Sequence, residues 1–569
     1  MRLKLLKTAY LIFLLAIVAR LFYWQVLQFD DLSARAEQQH LVSKTLEAPR
    51  GIILASDETI LASNKPTFLL YGLPKIIQDK NEVATKLAKI ITEAKPEEEI
   101  RPKEELNLKA DLVDKLSQDL NWVTLVKNID LSTKNLIQKL NITGLGFEGQ
   151  MSRFYPEASS AAHVLGFVGS DSLGRQKGYF GVEGYYDGQL KGVGGILTEE
   201  KDAQGLPILI GSFFKKEPRS GRNLILNIDR TVQYIVEQKL KKGVEKYGAK
   251  SGSVIVMEPK TGAILAMASF PSYDPEKFSQ FPKEYFRNPI VADAYEPGST
   301  FKVLVMATAL NENLIKPDTK CDTCSGPIKI SDYTIKTWND KYYPDTNMTD
   351  IIIHSDNTGM VFIGKKIGLD KMYQYLENFG LGNLTGIDLQ DEASPDIRAK
   401  KDWREIDLAT SSFGQGIAVT GIQMIRAVSA IANGGNLMEP HIVKTIKDGN
   451  KIIEIKPKVI AQPVSLSTAQ QVTEMMVQAV EKGEAKAFAP KGFKIAGKTG
   501  TAQIPVAGHY DPDKTIASFV GFAPVDDPKF VMLVRYQEPS SSIFGSETAA
   551  PTFFEIAKEL LFYFNIAPN

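Results

Sequence analysis

An α+β fold is what this sequence predicts: an antiparallel sheet sandwiched by helices, with an all-helical subdomain set between its strands. Three observations lead there. Strand patterns at Ser253–Met257 and Ala263–Ala268 precede a mostly helical stretch covering about residues 299–440. Strand patterns at Phe493–Gln503, Thr515–Phe522 and Phe530–Tyr536 follow it, and a helix pattern from about Thr552 to Phe564 comes after them. Ahead of this domain runs an extended, strand-rich region, and at the N-terminus a single long apolar segment.

The 569 residues are too many for one core and predict two or three domains. Lys plus Arg equals Asp plus Glu, 67 each, so no basic excess marks a nucleic-acid binder. The histidines, His40, His163, His354, His441 and His509, are scattered with no pair at metal-ligand spacing, and no dinucleotide or phosphate-loop fingerprint is present. The two cysteines form Cys321-Asp322-Thr323-Cys324. One such pair is half a zinc site at most, so a local disulfide or an inert thiol pair in a loop is expected, rather than redox chemistry.

Arg2, Lys4 and Lys7 precede Ala9–Ala19, an unbroken apolar run that resumes after Arg20 as Leu21-Phe22-Tyr23-Trp24. The segment is long enough to span a bilayer. Its basic end belongs in the cytoplasm and its aromatic end at the outer interface, which puts the remainder of the chain outside the cytoplasm. A cleaved signal peptide is the competing reading; no small-x-small site follows the apolar core, which favours an uncleaved anchor. Arg20 either snorkels to the outer headgroups or faces the transmembrane helices of a partner.

From about residue 31 to 220 the chain reads as a non-catalytic region. After the strand-like start at Pro49–Leu54 come three helical faces: Val83, Leu87, Ile90 and Ile91; then Leu112, Leu116 and Leu120; then Leu136 and Leu140. Lys95–Glu99 between the first two is a solvated linker. Glycines at 181, 184, 192, 194 and 195 indicate tight turns in an extended unit. Beyond it, Asp229–Lys246 reads as an amphipathic helix capped by Asp229, and Pro259–Gly262 as a hairpin turn.

The chemistry concentrates in three short motifs. Glu296-Pro297-Gly298-Ser299-Thr300-Phe301-Lys302 sets a serine three residues before a lysine, ahead of the apolar run Val303–Leu310. Residues i and i+3 share one helix face, so a desolvated Lys302 can take the proton of Ser299. Ser355-Asp356-Asn357 lies within the helical block, and Lys498-Thr499-Gly500-Thr501 on a later strand. Alone, each motif is a cap, a turn or a solvated lysine. In this order, the three are the set shared by penicillin-binding proteins and class A β-lactamases. Acyl transfer needs a nucleophile, a base, a proton path and an oxyanion site. Ser299 and Lys302 supply the first two, Ser355 passes a proton, Asn357 holds the lysine or a substrate amide, and Asp356 points away into structure. Lys498 carries positive charge for a substrate carboxylate, and Gly497 and Gly500 let a peptide approach the strand edge. Gly298, Thr499, Gly500 and Thr501 complete the substrate-binding set, with the amides of Ser299 and Thr501 as the oxyanion hole. Gly414-Gln415-Gly416 makes a loop nearby. The fold must bring three distant pieces together for any of this to operate.

Together these stretches resemble the class B penicillin-binding proteins, the single-pass peptidoglycan transpeptidases. The resemblance runs over nearly the whole length, through the anchor, Pro49-Arg50-Gly51, Arg153-Phe154-Tyr155-Pro156, the three motifs and Phe413-Gly414-Gln415-Gly416. It implies an anchor over residues 1–30, a pedestal (dimerisation) domain over 31–220 and a transpeptidase domain over 221–569. It implies a D,D-transpeptidase in which Ser299 attacks the D-Ala-D-Ala end of a stem peptide, releases D-alanine and hands the acyl group to an amine on a neighbouring strand. β-Lactams would acylate the same serine, and neither metal nor organic cofactor is implied. It further implies a membrane-embedded glycan polymerase and other division or elongation proteins as partners. Ser355-Asp356-Asn357-Thr358-Gly359 leans towards the septal, cell-division type. One departure is Ala55-Ser56-Asp57-Glu58, where the family often carries Asp-Arg-Asn-Gly after the pedestal opening.

Two alternatives stand beside this reading. A D,D-carboxypeptidase or β-lactamase would pass the acyl group to water, but no glutamate can be placed for deacylation; Glu392 falls between the second and third motifs with nothing to single it out. A β-lactam receptor or inactive scaffold would be expected to carry a cytoplasmic signalling domain or to have lost Ser299, Lys302 or Lys498.

Overall fold

A computed structural model describes residues 2–94, 101–200, 213–506 and 509–568. The chain divides into two compact units, one formed by Met1–Arg50, Pro66–Met151 and Lys191–Gly221, the other by Gly51–Lys65, Ser152–Leu190 and Arg222–Asn569.

The first unit begins with a helix over Arg2–Leu27, long and apolar enough to cross a membrane, with a mean hydropathy of 2.0. Near its end the Arg20 guanidinium lies over the Trp24 ring, 5.0 Å from its centroid, so the charge is partnered by an aromatic face. Further on, Lys80–Glu93 starts at an Asp79 cap and buries Val83 and Leu87 against Leu112 and Leu116 of Arg101–Ser117. Lys95–Glu99 lies outside the described residues. The third helical face differs from expectation. Leu131–Gln138 is capped by Asp130 and ends before Leu140, and it turns Thr133 and Ile137 inward while Leu136 is 48% exposed. Leu120, beyond the end of its helix at Ser117, is exposed as well. In both cases an i,i+4 apolar pair in the sequence outran the helix that was to carry it.

The second unit is organised by a five-stranded antiparallel sheet. Its order is Ile264–Phe270, Ser251–Met257, Phe530–Gln537, His509–Ala523 and Ala496–Val506. Alternation along each strand assigns its faces. Val254, Val256, Phe519, Met532 and Val534 pack with Arg230–Tyr247 and Ala549–Tyr563 on one side. Ile255, Met257, Val520, Phe522, Val531 and Leu533 join the core of the helical block on the other. That block contains Lys302–Asn311, Met348–Ile353, Asn357–Asn378, Gly421–Ala432 and Leu466–Lys482. The strand carrying the third motif, Ala496–Val506, is at the sheet's edge.

Pairing of Ser251–Met257 with Ile264–Phe270 makes the expected hairpin. Asp229 caps the following helix, accepting from the Thr231 and Val232 amides at 2.9 and 3.1 Å. Cys321 and Cys324 are disulfide-bonded and buried between Lys302–Asn311 and Met348–Ile353 in sequence. Within this unit Arg153 and Glu183, both almost fully buried, form an ion pair at 2.6 Å, and Arg153 also donates to the Gly51 carbonyl at 2.8 Å. Gly51 and Arg153 thus meet, with Glu183, through one charge-assisted hydrogen-bond network.

Candidate active site

Ser299 sits on a single 3-10 turn, Gly298–Phe301, that runs directly into the helix Lys302–Asn311. In a 3-10 turn residues i and i+3 eclipse, which aligns Ser299 with Lys302 more directly than an α-helix would. Every residue of that helix through Leu310 is buried, so the apolar run anchors Lys302 in the core with none of its surface exposed. Gly298 has φ +55°, and a side chain there would press within 2.9 Å of the Thr501 carbonyl. The glycine therefore allows the Ser299 turn to rest against the edge strand. Gly500 does the same from the strand side: a Cβ would stand 2.4 Å from the Ser518 hydroxyl and 2.8 Å from Thr300.

The second motif enters at the junction of Met348–Ile353 and Asn357–Asn378. Asp356 caps the second helix, accepting from Thr358 and Gly359 amides at 2.8 and 3.2 Å, and so faces structure rather than the cleft. Ser355, just before it, has φ +55°, a left-handed conformation that a non-glycine residue adopts at a cost of about 1–3 kcal/mol. The twist aims its hydroxyl at both lysines. Lys302 Nζ donates to the Ser355 carbonyl at 2.7 Å and to Asn357 Oδ1 at 2.7 Å, and lies 3.3 Å from the Ser355 hydroxyl. Asn357 spends its amide nitrogen on the Lys336 carbonyl at 3.0 Å.

Lys498 completes the cluster. Its Nζ donates to the Ser355 hydroxyl at 3.0 Å and to the Thr499 hydroxyl at 3.1 Å, and the residue is 3% exposed. Desolvation pushes Lys302 well below the usual lysine range, and the neighbouring Lys498 charge pushes it further. Lys498 is itself lowered by burial to about 8, while Glu484 opposes the shift. A neutral Lys302 has two N–H groups, both taken by carbonyl-type oxygens at 2.7 Å. Its lone pair is left to accept a hydroxyl proton.

These groups open into a cavity of about 880 Å³ lined by Gly298, Ser299, Ser355, Asn357, Thr499 and Thr501, with Gln415 and Gly416 of the expected glycine loop. All nine predicted positions thus belong to one locality: Gly298, Ser299, Ser355, Asn357, Thr499 and Thr501 on the cavity wall, Lys302 and Lys498 behind it, and Gly500 at the contact of strand and turn. Glu392 does not join them; it accepts from the Thr385 and Gly386 amides and closes a separate loop. Three features were absent from the sequence reading. The hairpin Ile328–Ile330/Tyr333–Ile335 brings Tyr333, Lys336 and Trp338 to the cavity, with the Trp338 ring 5.5 Å from that of Phe544. Tyr510, on the cavity wall, donates to the Glu296 carboxylate at 3.1 Å. Glu484, in the loop after Leu466–Lys482, faces the lysines. Apart from Glu296, which opens the first motif, none of these residues lies in a recognisable motif, and a lone glutamate in a loop carries no signal in sequence.

The Penicillin binding protein transpeptidase domain matches residues 252–559, which contain the sheet and all three motifs. The chain belongs to the penicillin-binding protein transpeptidase family. A second family, the Penicillin-binding Protein dimerisation domain, matches residues 45–226 of this penicillin-binding protein. It is 32% identical to the Stage V sporulation protein D of Bacillus subtilis, over 98% of this chain and 84% of that protein. It is 29% identical to the peptidoglycan D,D-transpeptidase FtsI of Escherichia coli, over 100% of this chain and 92% of that one. Among solved structures, Penicillin Binding Protein 2X from Streptococcus thermophilus superposes with a TM-score of 0.73 at 26% identity, covering 92% of this chain and 80% of that one.

Proposed function

We propose that this protein is a peptidoglycan D,D-transpeptidase that cross-links stem peptides in cell-wall synthesis at division, with Ser299 as the nucleophile. The observation that carries the assignment of roles is the convergence of Lys302 and Lys498 on the Ser355 hydroxyl, at 3.3 and 3.0 Å. Lys302, whose burial favours the uncharged amine, takes the Ser299 proton as the hydroxyl attacks the penultimate D-alanine carbonyl. The amides of Ser299 and Thr501 receive the developing oxyanion. Lys498, with the Thr499 and Thr501 hydroxyls, binds the terminal carboxylate, and the donor peptide lies along the edge strand Ala496–Val506. Ser355 relays a proton from the lysine pair to the leaving D-alanine amine. An acceptor amine then takes the acyl group from Ser299. A β-lactam offers the same carboxylate and carbonyl, so it acylates Ser299 as well.

Along the chain, residues 1–30 serve as the cytoplasmic tail and membrane anchor, 31–220 as the pedestal and 221–569 as the catalytic part. The basic residues Arg2, Lys4 and Lys7 support a cytoplasmic N-terminus and an extracytoplasmic catalytic domain. A membrane-embedded glycan polymerase and other division proteins are the proposed partners.

The test is covalent labelling by a fluorescent penicillin, wild type against Ser299→Ala. Labelling that persists in the variant removes Ser299 as nucleophile. A stem-peptide donor supplied with and without an amine acceptor then separates transpeptidase from hydrolase: hydrolysis product alone, with no cross-link, would overturn the assignment.

A further inference from the structure

Two carboxylates line the cleft, Asp407 and Glu484. Asp407 is already engaged, bonded to Arg398 at 3.2 Å and to Arg404 at 3.3 Å. Glu484 has no hydrogen bond or salt bridge among the described residues; its neighbours act on it through charge alone. Its backbone is nevertheless fixed on both sides. A side chain at Gly483 would press within 2.3 Å of the Ala479 carbonyl and 3.0 Å of the Ile353 carbonyl, and Ala485 is 2% exposed in the core. The loop therefore abuts the segment that leads into Ser355, and it holds one unspent carboxylate in the cavity that contains Ser299. In the acylation step that carboxylate acts only at a distance, by favouring the charged form of Lys498; the donor's own carboxylate needs a cation, which Lys498 supplies.

We propose that Glu484 receives the acceptor in the second half-reaction, which makes it a specificity-determining residue for acceptors that carry a primary ammonium. The inference rests on the transpeptidase reading above. A primary amine is protonated at neutral pH and cannot attack an ester until it sheds a proton. The acceptor ammonium gives one proton to the Glu484 carboxylate, which releases it to solvent. The freed amine attacks the Ser299 acyl ester; the C–N bond forms as the bond to Ser299 Oγ breaks. The amine's second proton passes through Lys302 to Ser299 Oγ, which restores the hydroxyl. Desolvation in the cleft raises the Glu484 carboxyl above the usual range, which brings its affinity for a proton closer to that of an amine.

The experiment uses the full-length protein in detergent near neutral pH, with diacetyl-lysyl-D-alanyl-D-alanine as donor. The acceptor probes are Nα-acetyl-lysine amide, an ammonium, and hydroxylamine, which is uncharged under these conditions. The readout is the ratio of aminolysis to hydrolysis product, which does not depend on how fast the serine is acylated. In Glu484→Gln the ratio for the lysine probe is expected to fall about tenfold, the worth of one charge-assisted hydrogen bond, with no change for hydroxylamine. Glu484→Asp should recover most of the loss. An unchanged ratio for the lysine probe, or an equal fall for both probes, would overturn the proposal. A wild-type protein that hydrolyses the donor and joins it to neither probe would instead remove the transpeptidase reading, and the proposal with it.

Discussion

Lys302 and Lys498 share one hydrogen-bonding partner: the Ser355 hydroxyl lies 3.3 Å from the Lys302 side-chain nitrogen and 3.0 Å from that of Lys498. Two buried lysines cannot both stay charged at that separation from a common atom without strong mutual destabilisation. The deeper of the two, Lys302, is the one driven towards neutrality. The substitution Lys302→Met keeps an unbranched apolar stem in the core and deletes the amine. Penicillin acylation should fall by roughly 10²–10⁴-fold, the usual share of a general base, while the fold is retained. Stopped-flow acylation with a fluorescent penicillin measures it, and a rate within a few-fold of wild type would mean that another group accepts the proton.

The pH profile follows from the same pair. With Lys302 as the proposed base, acylation requires its neutral form, so the rate should rise with pH through the depressed value of that amine. With Lys498 as the proposed carboxylate partner, binding requires its protonated form and should weaken as pH climbs through about 8. The expected kcat/KM profile is a bell whose alkaline limb falls near 8 and appears in KM more than in kcat. Lys498→Arg, which keeps its charge, should push that limb upward by more than a unit. A profile that is flat from neutrality through strongly alkaline pH would contradict the assignment of Lys498 to the carboxylate.

Stability should move the other way from activity. Folded Lys498 titrates at about 8 against the ordinary 10.5, so the unfolded chain holds more protons between those values. Stability therefore increases as pH rises across that window and is lowest, with respect to this group, below it. Lys498→Met removes the buried charge and should raise the thermal midpoint near neutral pH by a few degrees while abolishing turnover. Scanning calorimetry on both proteins reads the shift. A lower midpoint for the variant would show that the Thr499 and Ser355 hydrogen bonds outweigh the desolvation of the ammonium.

How much of this site was legible beforehand depended on how local each feature is. Ser299 and Lys302 were readable because a Pro-Gly turn, three residues of spacing and an apolar helix stand within fifteen residues of one another. The sheet was readable from strand patterns on both sides of a helical block. The left-handed backbone at Ser355 was not: serine has no φ signature, and the strain is held by Asp356 capping the next helix and by two lysines from elsewhere. Nor was the arm bearing Trp338, whose indole donates to the His354 carbonyl at 3.3 Å. The third helix of the region before it was misplaced for a simpler reason: Leu136 and Ile137 are both apolar neighbours, and the choice between them belongs to packing.

Gly298→Ala tests whether the turn and the edge strand must touch. The substitution puts a methyl group within 2.9 Å of the Thr501 carbonyl, on a backbone whose φ of +55° already disfavours any side chain. Two responses are open to the protein. If the turn yields, Ser299 and the Thr501 amide separate, and catalysis suffers far more than stability. If the strand yields, its pairing with His509–Ala523 is disturbed, and stability falls in step with activity. The strand is held by an antiparallel ladder on its inner side, whereas Gly298 itself is tied to a neighbouring segment, among the described residues, by one backbone hydrogen bond, from its amide to the Gly414 carbonyl at 3.0 Å. The turn should therefore give way. Acylation is expected to drop about 10²-fold, the scale set by misplacing a reacting group by an ångström, with a stability loss of about 1–3 kcal/mol. Acylation kinetics and denaturant unfolding of the same preparation decide between the two responses. Wild-type acylation in Gly298→Ala would show that the oxyanion site does not depend on this contact.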